Sequence, residues 1–311
     1  MRVSSNSLPD SLIGQLHRIN GRQARLQTQA ASGQRLQWAA DDPAAMGRAL
    51  ELQTAGRTNT QYANNVDFLS ERTTVVLSSI RSVNDVLDRA NEIAVLAGGP
   101  RSTQELTAYA SEVDQLIRQA AQAGNVRHRG DFVLGGTATS QAPFVLTENA
   151  AGQVDSVTFQ GNTDVPQLEV SEGSTVAMQI PGANTSGSGP RGLFADSRTG
   201  TDTFAHLIAL RDHLAAGDTQ AIANTDRPAL TQDEDQVLLQ LADSGALQSR
   251  LEFASATSRN QSSQIREALS RETDVDLAET MVELSAVQTA YQAALQSGAS
   301  ILGVSLMDYL R

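Results

Sequence analysis

The chain has 311 residues and a mass of 33.0 kDa, and its 23 basic against 35 acidic residues give a net charge of −12. It contains neither cysteine nor lysine, which excludes disulfides, thiolate nucleophiles, cysteine zinc sites, Schiff-base lysines and a P-loop. The acidic balance disfavours binding to nucleic acid or anionic lipid, and no apolar run approaches the ~18 residues of a membrane span, so we expect neither partner.

The first predicted helix carries a coiled-coil seam. Before it, the opening residues MRVSSNSLPD lack the apolar run of a cleaved leader, so we expect no Sec signal peptide. From residue 12, alternate steps of four and three meet apolar, small or amide side chains, which is the a/d pattern of a coiled coil. The seam comprises Leu12, Leu16, Ile19, Gln23, Leu26, Ala30 and Gly33.

Two further helices follow. In Asp41-Asp42-Pro43 the aspartates could form a carboxylate pair, but we interpret the triplet as an N-cap with proline at the first helical position. The a/d pattern continues over residues 62–94, and Gly98-Gly99-Pro100 predicts the end of this long helix. Apolar periodicity predicts a third helix over residues 106–124.

The middle of the chain predicts strands. Residues 130–180 hold short β-branched or aromatic runs separated by glycine and proline, as in hairpins. Residues 181–202 are rich in Gly, Ser and Pro and predict a flexible surface loop. We therefore expect a β insertion at the tip of a long helical hairpin, with apolar residues that pack mainly with one another.

The C-terminal side is again helical. Periodicity predicts a short helix over residues 204–214 and a longer one over residues 237–269. Asp274, Asp276 and Glu279 could suggest a metal site, but Asp276 followed by Glu279 before an apolar run is the pattern of a capping box. The last helix has its own seam, formed by Leu277, Met281, Leu284, Gln288, Tyr291, Leu295, Gly298, Leu302 and Ser305.

Together these elements predict a mainly α fold with a β insertion. We expect a long antiparallel α-helical bundle or coiled-coil stem formed by both chain ends, and a small β-rich tip domain. Residues 1–42 and 273–311 form the predicted terminal coiled-coil domain. Residues 43–129 and 203–272 form the predicted helical stem, and residues 130–202 the predicted β-rich outer domain.

No constellation of residues indicates catalysis. His206 and His213 stand seven residues apart, too far for a helical metal pair, and no G-x-S-x-G, G-x-G-x-x-G or H-E-x-x-H motif occurs. We therefore predict no catalytic, cofactor-binding or metal-binding residue, no cofactor and no enzyme activity. The amide and small residues within the seams leave two interpretations open: poorly packed helices on a globular domain, or helices that order only when many copies pack together.

The two chain ends resemble one protein family. The segments MRVSSNSL, RINGRQARLQTQAASGQRL and AADDPAAMGRAL are similar to the N-terminal region of bacterial flagellins and flagellar hook-associated proteins, and DVDLAETMVELSAVQTAYQAALQSGASILGVSLMDYLR resembles the matching C-terminal helix. Within the family, RGDFVLGGTATSQAPF and the ending SLMDYLR resemble the hook-associated protein 3 branch more than filament flagellins. Trp38 departs from the family pattern, in which polar residues are usual at this position.

The resemblance implies an extracellular structural subunit of the bacterial flagellum, forming the junction ring between the hook and the filament. The implied partners are copies of itself, hook-associated protein 1, flagellin, an export chaperone and the type III export apparatus, through which the chain leaves without losing a leader. Filament flagellin is the alternative within the family, and an enzyme or receptor module in residues 131–235 is an alternative of another class. The implied polymerising contacts are the seam residues Leu12, Leu16, Ile19, Leu26, Leu277, Met281, Leu284, Tyr291, Leu295 and Leu302.

Overall fold

A computed structural model describes residues 7–178 and 180–309, and within them the side chains between residues 11 and 299. Helices hold most of the described residues, and each predicted helix is present. The helix predicted over residues 237–269 begins earlier, at Arg227. The helices are α1 (Ser7–Ser32), α2 (Pro43–Ala97), α3 (Thr103–Gly124), α4 (Thr203–Ala216), α5 (Thr219–Ala221), a π-helical turn (Ile222–Asp226), α6 (Arg227–Thr273) and α7 (Leu277–Tyr309).

Short strands lie between α3 and α4 and form four small sheets in the described part of the chain. The first six strands pair consecutively as three antiparallel hairpins, and the eighth strand lies between a parallel seventh strand and an antiparallel ninth strand. The prediction of a mainly α fold with a β-rich insertion is therefore confirmed. The strands are β1 (Arg127–His128), β2 (Asp131–Phe132), β3 (Phe144–Glu148), β4 (Val154–Phe159), β5 (Gln167–Ser171), β6 (Ser174–Ala177), β7 (Ala183–Asn184), β8 (Ala195–Asp196) and β9 (Thr201–Asp202).

The chain divides into two compact units. One is Asn59–Asn260, and the other combines Met1–Thr58 with Gln261–Arg311; we call the second the terminal unit. α2 and α6 contribute residues to both units. The division into three domains that the sequence suggested stays a prediction.

The core of the Asn59–Asn260 unit combines helices with strands. Buried side chains of α2, α3 and α4, such as Leu87, Ile117 and Leu210, belong to the same apolar cluster as Val154 and Phe194 of the β insertion. Our expectation that the insertion packs mainly with itself is wrong. Two-stranded hairpins have no second layer of their own, so their apolar residues are buried against the helices instead.

Residues 181–202 are not the flexible loop that their composition predicts. Leu193 and Phe194 are completely buried, and Asn184 and Asp196 are buried with them. The Asn184 side-chain amide donates to two carbonyls of the segment at 2.7 Å each, and the Asp196 carboxylate accepts several N–H groups. Buried apolar groups and satisfied polar groups give this segment one structure despite its many glycines and serines.

Three glutamines on one face of α6 hold the same segment by its backbone. The side-chain amide of Gln236 donates to the carbonyl of Gly192 at 2.9 Å, and that of Gln240 donates to the preceding carbonyl at 3.3 Å. Gln232, one turn earlier, donates to the carbonyl of Thr199. Because residues four apart lie on one side of a helix, the three amides form a row along α6.

Buried charged pairs fix α4 within this unit. The buried guanidinium of Arg211 lies 3.2 Å from the carboxylate of Asp114 on α3, and it also donates to the carbonyl of Val154. On the other side of α4, Nδ1 of His206 lies 2.7 Å from the carboxylate of Asp233 on α6. Burial raises the pKa of Asp233, and the hydrogen bond to this carboxylate raises the pKa of His206.

Side-chain caps confirm two predicted helix starts. Asp42 precedes Pro43, the first residue of α2, and its carboxylate accepts the backbone N–H of Ala45 at 3.0 Å. This hydrogen bond lowers the pKa of Asp42. At the start of α7, the Asp276 carboxylate accepts the N–H of Glu279 at 3.1 Å. Both aspartates satisfy amides that the first helical turn leaves without a partner.

Candidate assembly surface

The terminal helices α1 and α7 pack along each other in opposite directions. A Cβ atom at Gly298 would lie only 2.6 Å from Cδ2 of Leu12, so glycine allows the two helices to approach closely at this point. About three turns further along α1, the Arg22 guanidinium reaches the Glu283 carboxylate at 3.2 Å. The antiparallel pairing that the sequence predicts for the chain ends is therefore present in the described residues.

A polar clamp joins the chain after α1 to the end of α6. The backbone N–H of Arg35 donates to the carbonyl of Thr273 at 2.7 Å, and the Arg35 guanidinium donates to the carbonyl of Glu272 at 2.7 Å. The Glu272 carboxylate in turn accepts two hydrogen bonds, at 3.0 and 2.9 Å, from the Arg48 guanidinium of α2. This paired arrangement lowers the pKa of Glu272 and fixes the planar Arg48 group in one orientation.

The loop between α1 and α2 is braced by one carboxylate. The Asp41 side chain accepts the backbone N–H groups of Trp38 at 3.0 Å and of Gln37 at 3.3 Å, and the Asp41 N–H donates back to the carbonyl of Trp38 at 2.9 Å. Gln29 of α1 donates its side-chain amide to the carbonyl of Arg35 at 3.1 Å. Trp38 is 72% exposed on this well-connected loop.

α7 carries large apolar residues at exposed positions. Thr280 and Gly298 are buried, whereas four large apolar residues of the helix face solvent. Three of the four lie in the first two turns, beside Glu279 and Glu283, and the fourth lies in residues 284–299, which include no charged side chain. Because a surface helix normally carries polar residues at exposed positions, these apolar side chains are suited to burial against another chain. The exposed large apolar residues of α7 are Leu277 (52%), Met281 (58%), Val282 (71%) and Leu295 (46%).

The predicted seam residues fall into three groups. Leu26 is buried, and Leu277, Met281 and Leu295 are exposed. Leu302 lies in the last part of α7, outside the residues whose side chains the structure describes. The half-buried group lies along the contact between the two helices and comprises Leu12, Leu16, Ile19, Leu284 and Tyr291.

Two features of this surface escaped the sequence analysis. Val282 lies one position away from the seam, so a search for a single a/d stripe does not find it. Among the large apolar residues of α7 whose side chains the structure describes, it is nevertheless the most exposed. The clamp between Arg48 and Glu272 joins residues 224 positions apart. Only the fold brings such charges together, so no local pattern signals the pair.

The site offers an apolar helical surface. Across residues 7–178 and 180–309, no cluster of three His, Asp or Glu side chains is placed to hold a metal ion. Among the helices of the same ranges, none combines the length and the apolar character needed to cross a bilayer.

Two family models match the chain at its two ends. The bacterial flagellin N-terminal helical region matches residues 3–139, and the bacterial flagellin C-terminal helical region matches residues 229–310. Together the two matches cover most of the chain, including the described parts of α1 and α7.

Individual relatives agree with these matches. Flagellar hook-associated protein 3 of Salmonella typhimurium is 26% identical over 163 residues, which are 51% of this chain and 51% of the relative. The aligned part of the chain thus spans about half the length of that curated relative.

Solved structures share the fold. A flagellar hook-associated protein from Vibrio parahaemolyticus aligns with a TM-score of 0.63 and 18% identity over 75% of this chain and all of that one. FlgL of Bacillus cereus aligns with a TM-score of 0.57 and 17% identity, covering 71% of this chain and 99% of that one. The flagellar junction protein FlgL of Legionella pneumophila gives a TM-score of 0.57 at 14% identity, covering 73% of this chain and 100% of that one.

Proposed function

Because the chain belongs to the bacterial flagellin family, we propose that it is a structural subunit at the junction between the hook and the filament of the flagellum. The observation that carries the proposal is the exposure of four large apolar residues of α7, namely Leu277, Met281, Val282 and Leu295, in the part of the chain that the structure describes. The junction role is favoured over filament flagellin because the named relatives are hook-associated protein 3 and FlgL. The proposed role is mechanical and involves no catalysis.

The proposed partners follow from that position. Hook-associated protein 1 lies on the hook side, flagellin lies on the filament side, and copies of the chain complete a ring between them. The chain reaches this extracellular place unfolded, through the type III export apparatus and with an export chaperone. The exposed seam residues Leu277, Met281 and Leu295, together with Val282, make the contacts between neighbouring subunits.

The energetics suit assembly by many copies. Burying a Val, Leu or Met side chain completely contributes about 1.5–3 kcal/mol, so covering the exposed half of one contributes about 1 kcal/mol. The exposed residues of α7 then supply on the order of 4 kcal/mol for each subunit contact. This is too little for a stable isolated pair once the cost of association is included, but it accumulates in a closed ring.

The position of the chain on the flagellum tests the proposal most directly. Immunogold labelling of purified flagella is expected to place the chain at the boundary between hook and filament only. A label along the whole filament would identify filament flagellin instead, and a label absent from flagella would reject both assignments.

A matched pair of substitutions tests the role of α7. Val282→Asp places a carboxylate where a neighbouring subunit buries the side chain, which costs several kcal/mol, so we expect loss of filaments and of swimming. Val145→Asp makes the same chemical change at a residue of β3 that is only 37% exposed, against 71% for Val282.

The two variants discriminate between assembly and folding. On folding grounds alone Val282→Asp is the milder change, because its side chain is already in water. Normal swimming of cells with Val282→Asp, or equal loss with Val145→Asp, would contradict the assignment of α7 to subunit contacts. Circular dichroism of both purified variants should match the parent chain.

A further inference from the structure

Trp38 is presented to solvent on a hydrogen-bonded loop. It is the single tryptophan of the chain, and it is 72% exposed. Its backbone N–H and carbonyl are both bonded to Asp41, and the loop around it is tied to α1 by Gln29 and to α6 by Arg35. Because the backbone is already held, binding has to order only the two side-chain torsions of the indole, and tryptophan is frequent at the energetic centres of interfaces.

The same terminal unit contains a groove suited to such a side chain. The groove lies between α2 and α6, has a volume of about 390 Å³ and has an apolar floor of Leu52, Ala55 and Ala268. Arg48 and Arg271 line it together with two glutamates. Arg48 is held in one orientation by its two hydrogen bonds to Glu272, and a guanidinium can stack its plane on an aromatic ring while its edge keeps such hydrogen bonds.

We propose that Trp38 of one subunit seats in this groove of a second copy, with the indole on the apolar floor and against the arginines. Trp38 does not line the groove of its own chain, and hydrogen bonds hold residues 37–41 in the arrangement that leaves Trp38 exposed, so the occupant is a second copy. The indole is an electron-rich partner for the guanidinium groups, which makes the two surfaces electrostatically complementary. The inference rests on the proposed assembly and names one of its contacts.

The geometry of this contact has a consequence for assembly. Trp38 and the groove are different surfaces of the same chain, so the contact is heterologous: one subunit contributes the tryptophan and its neighbour contributes the groove. After one contact forms, the pair still offers one free groove and one free tryptophan on different subunits, so such contacts continue around a ring or along a helix.

Cysteine cross-linking tests the proposal, because the native chain has no cysteine. The double variant Trp38→Cys with Ala268→Cys is expressed in cells that carry flagella, and isolated hook–filament structures are treated with a short bismaleimide. We expect a ladder of cross-linked multimers from the double variant and dimers only from a mixture of the two single variants. Each single variant alone should stay monomeric.

The control pair is Trp38→Cys with Leu50→Cys, since Leu50 is 51% exposed on α2 but does not line the groove. Equal cross-linking of the control pair, a cross-link within one chain, or capture of a different flagellar protein would overturn the proposal. So would assembled structures without any cross-link.

A second measurement tests the same contact if the cysteine variants fail to assemble. Photoactivatable benzoylphenylalanine in place of Trp38 keeps an aromatic ring, and mass spectrometry of its products should find peptides with residues 48–55 or 268–272 of another copy. Products elsewhere, or none, would reject the contact. Immunogold labelling of the same structures reports the junction role separately, so a label at the boundary without the cross-link rejects only this inference.

Discussion

Phe194→Ala is the substitution that best tests how residues 181–202 belong to the core. Phe194 is completely buried, stacks on Phe204 with ring centroids 4.9 Å apart and meets the edge of Phe144 at 4.7 Å. If the segment were a surface loop, removing this ring would change little. Since the ring instead lies among helices and strands, its loss leaves a cavity that rigid neighbours cannot fill.

The expected loss follows from the packing. Phe→Ala in a core costs about 3–5 kcal/mol, and the value should lie in the middle or upper part of that range because the ring makes two aromatic contacts. Domains are stable by about 5–15 kcal/mol, so a large share of the stability of the Asn59–Asn260 unit is at stake. For a unit of this size, about 4 kcal/mol corresponds to a lowering of Tm by roughly 8–16 °C.

The assay is thermal unfolding of the full chain, followed by far-UV circular dichroism. Phe253→Ala is the matched control, because it is the same substitution at a residue of α6 that is 75% exposed, and it should shift Tm by no more than about 2 °C. If Phe194→Ala lowered Tm no more than Phe253→Ala, the assignment of the segment to the core would be refuted. By the same reasoning, replacing residues 146–202 with a Gly/Ser linker should unfold this unit.

Three further results are expected. The hydrogen bond that raises the pKa of His206 stabilises the fold most below about pH 6.5, so Tm of the native chain should fall as the pH rises above this value, whereas a His206→Gln variant should lose that slope. Arg211→Met removes one of the two guanidinium groups that pair with the buried carboxylate of Asp114, while Arg118 stays 3.2 Å from it, so urea unfolding should show a loss of about 1.5–3 kcal/mol; a loss below about 1 kcal/mol would mean that Arg118 and water replace the arginine. In dilute solution, limited proteolysis should remove residues 1–42 and 273–311 before it cuts the rest of the chain, because the thinly packed terminal helices lack their neighbours; intact termini beside a degraded middle would contradict this order.

Local features of the fold were predictable from the sequence. The helix starts at Asp42 and Asp276 and the end of α2 before Gly98 depend on caps and breakers within a few residues. The antiparallel partnership of α1 and α7 was also predicted, because both helices carry the same a/d period. Caps and breakers act within one or two helical turns, and the a/d period repeats along each helix, so both can be recognised in the sequence alone.

Features that depend on distant parts of the chain were not predictable. The composition of residues 181–202 indicates a loop, and nothing in it reveals that Leu193 and Phe194 find helices to pack against. The same holds for the candidate site. The seam positions stay a prediction, and the exposure of Val282 and the pairing of Arg48 with the distant Glu272 follow from tertiary structure alone.

The row of glutamines on α6 anchors residues 191–199 through their backbone and not through their side chains. The side chains of Gln232, Gln236 and Gln240 donate hydrogen bonds to carbonyl groups, which every amino acid has. The attachment of residues 191–199 therefore does not depend on most of the side chains in this segment. Mutations at exposed positions of the segment can therefore accumulate without detaching it. At the proposed position outside the cell, such a segment can change its antigenic surface while its attachment to the molecule stays constant.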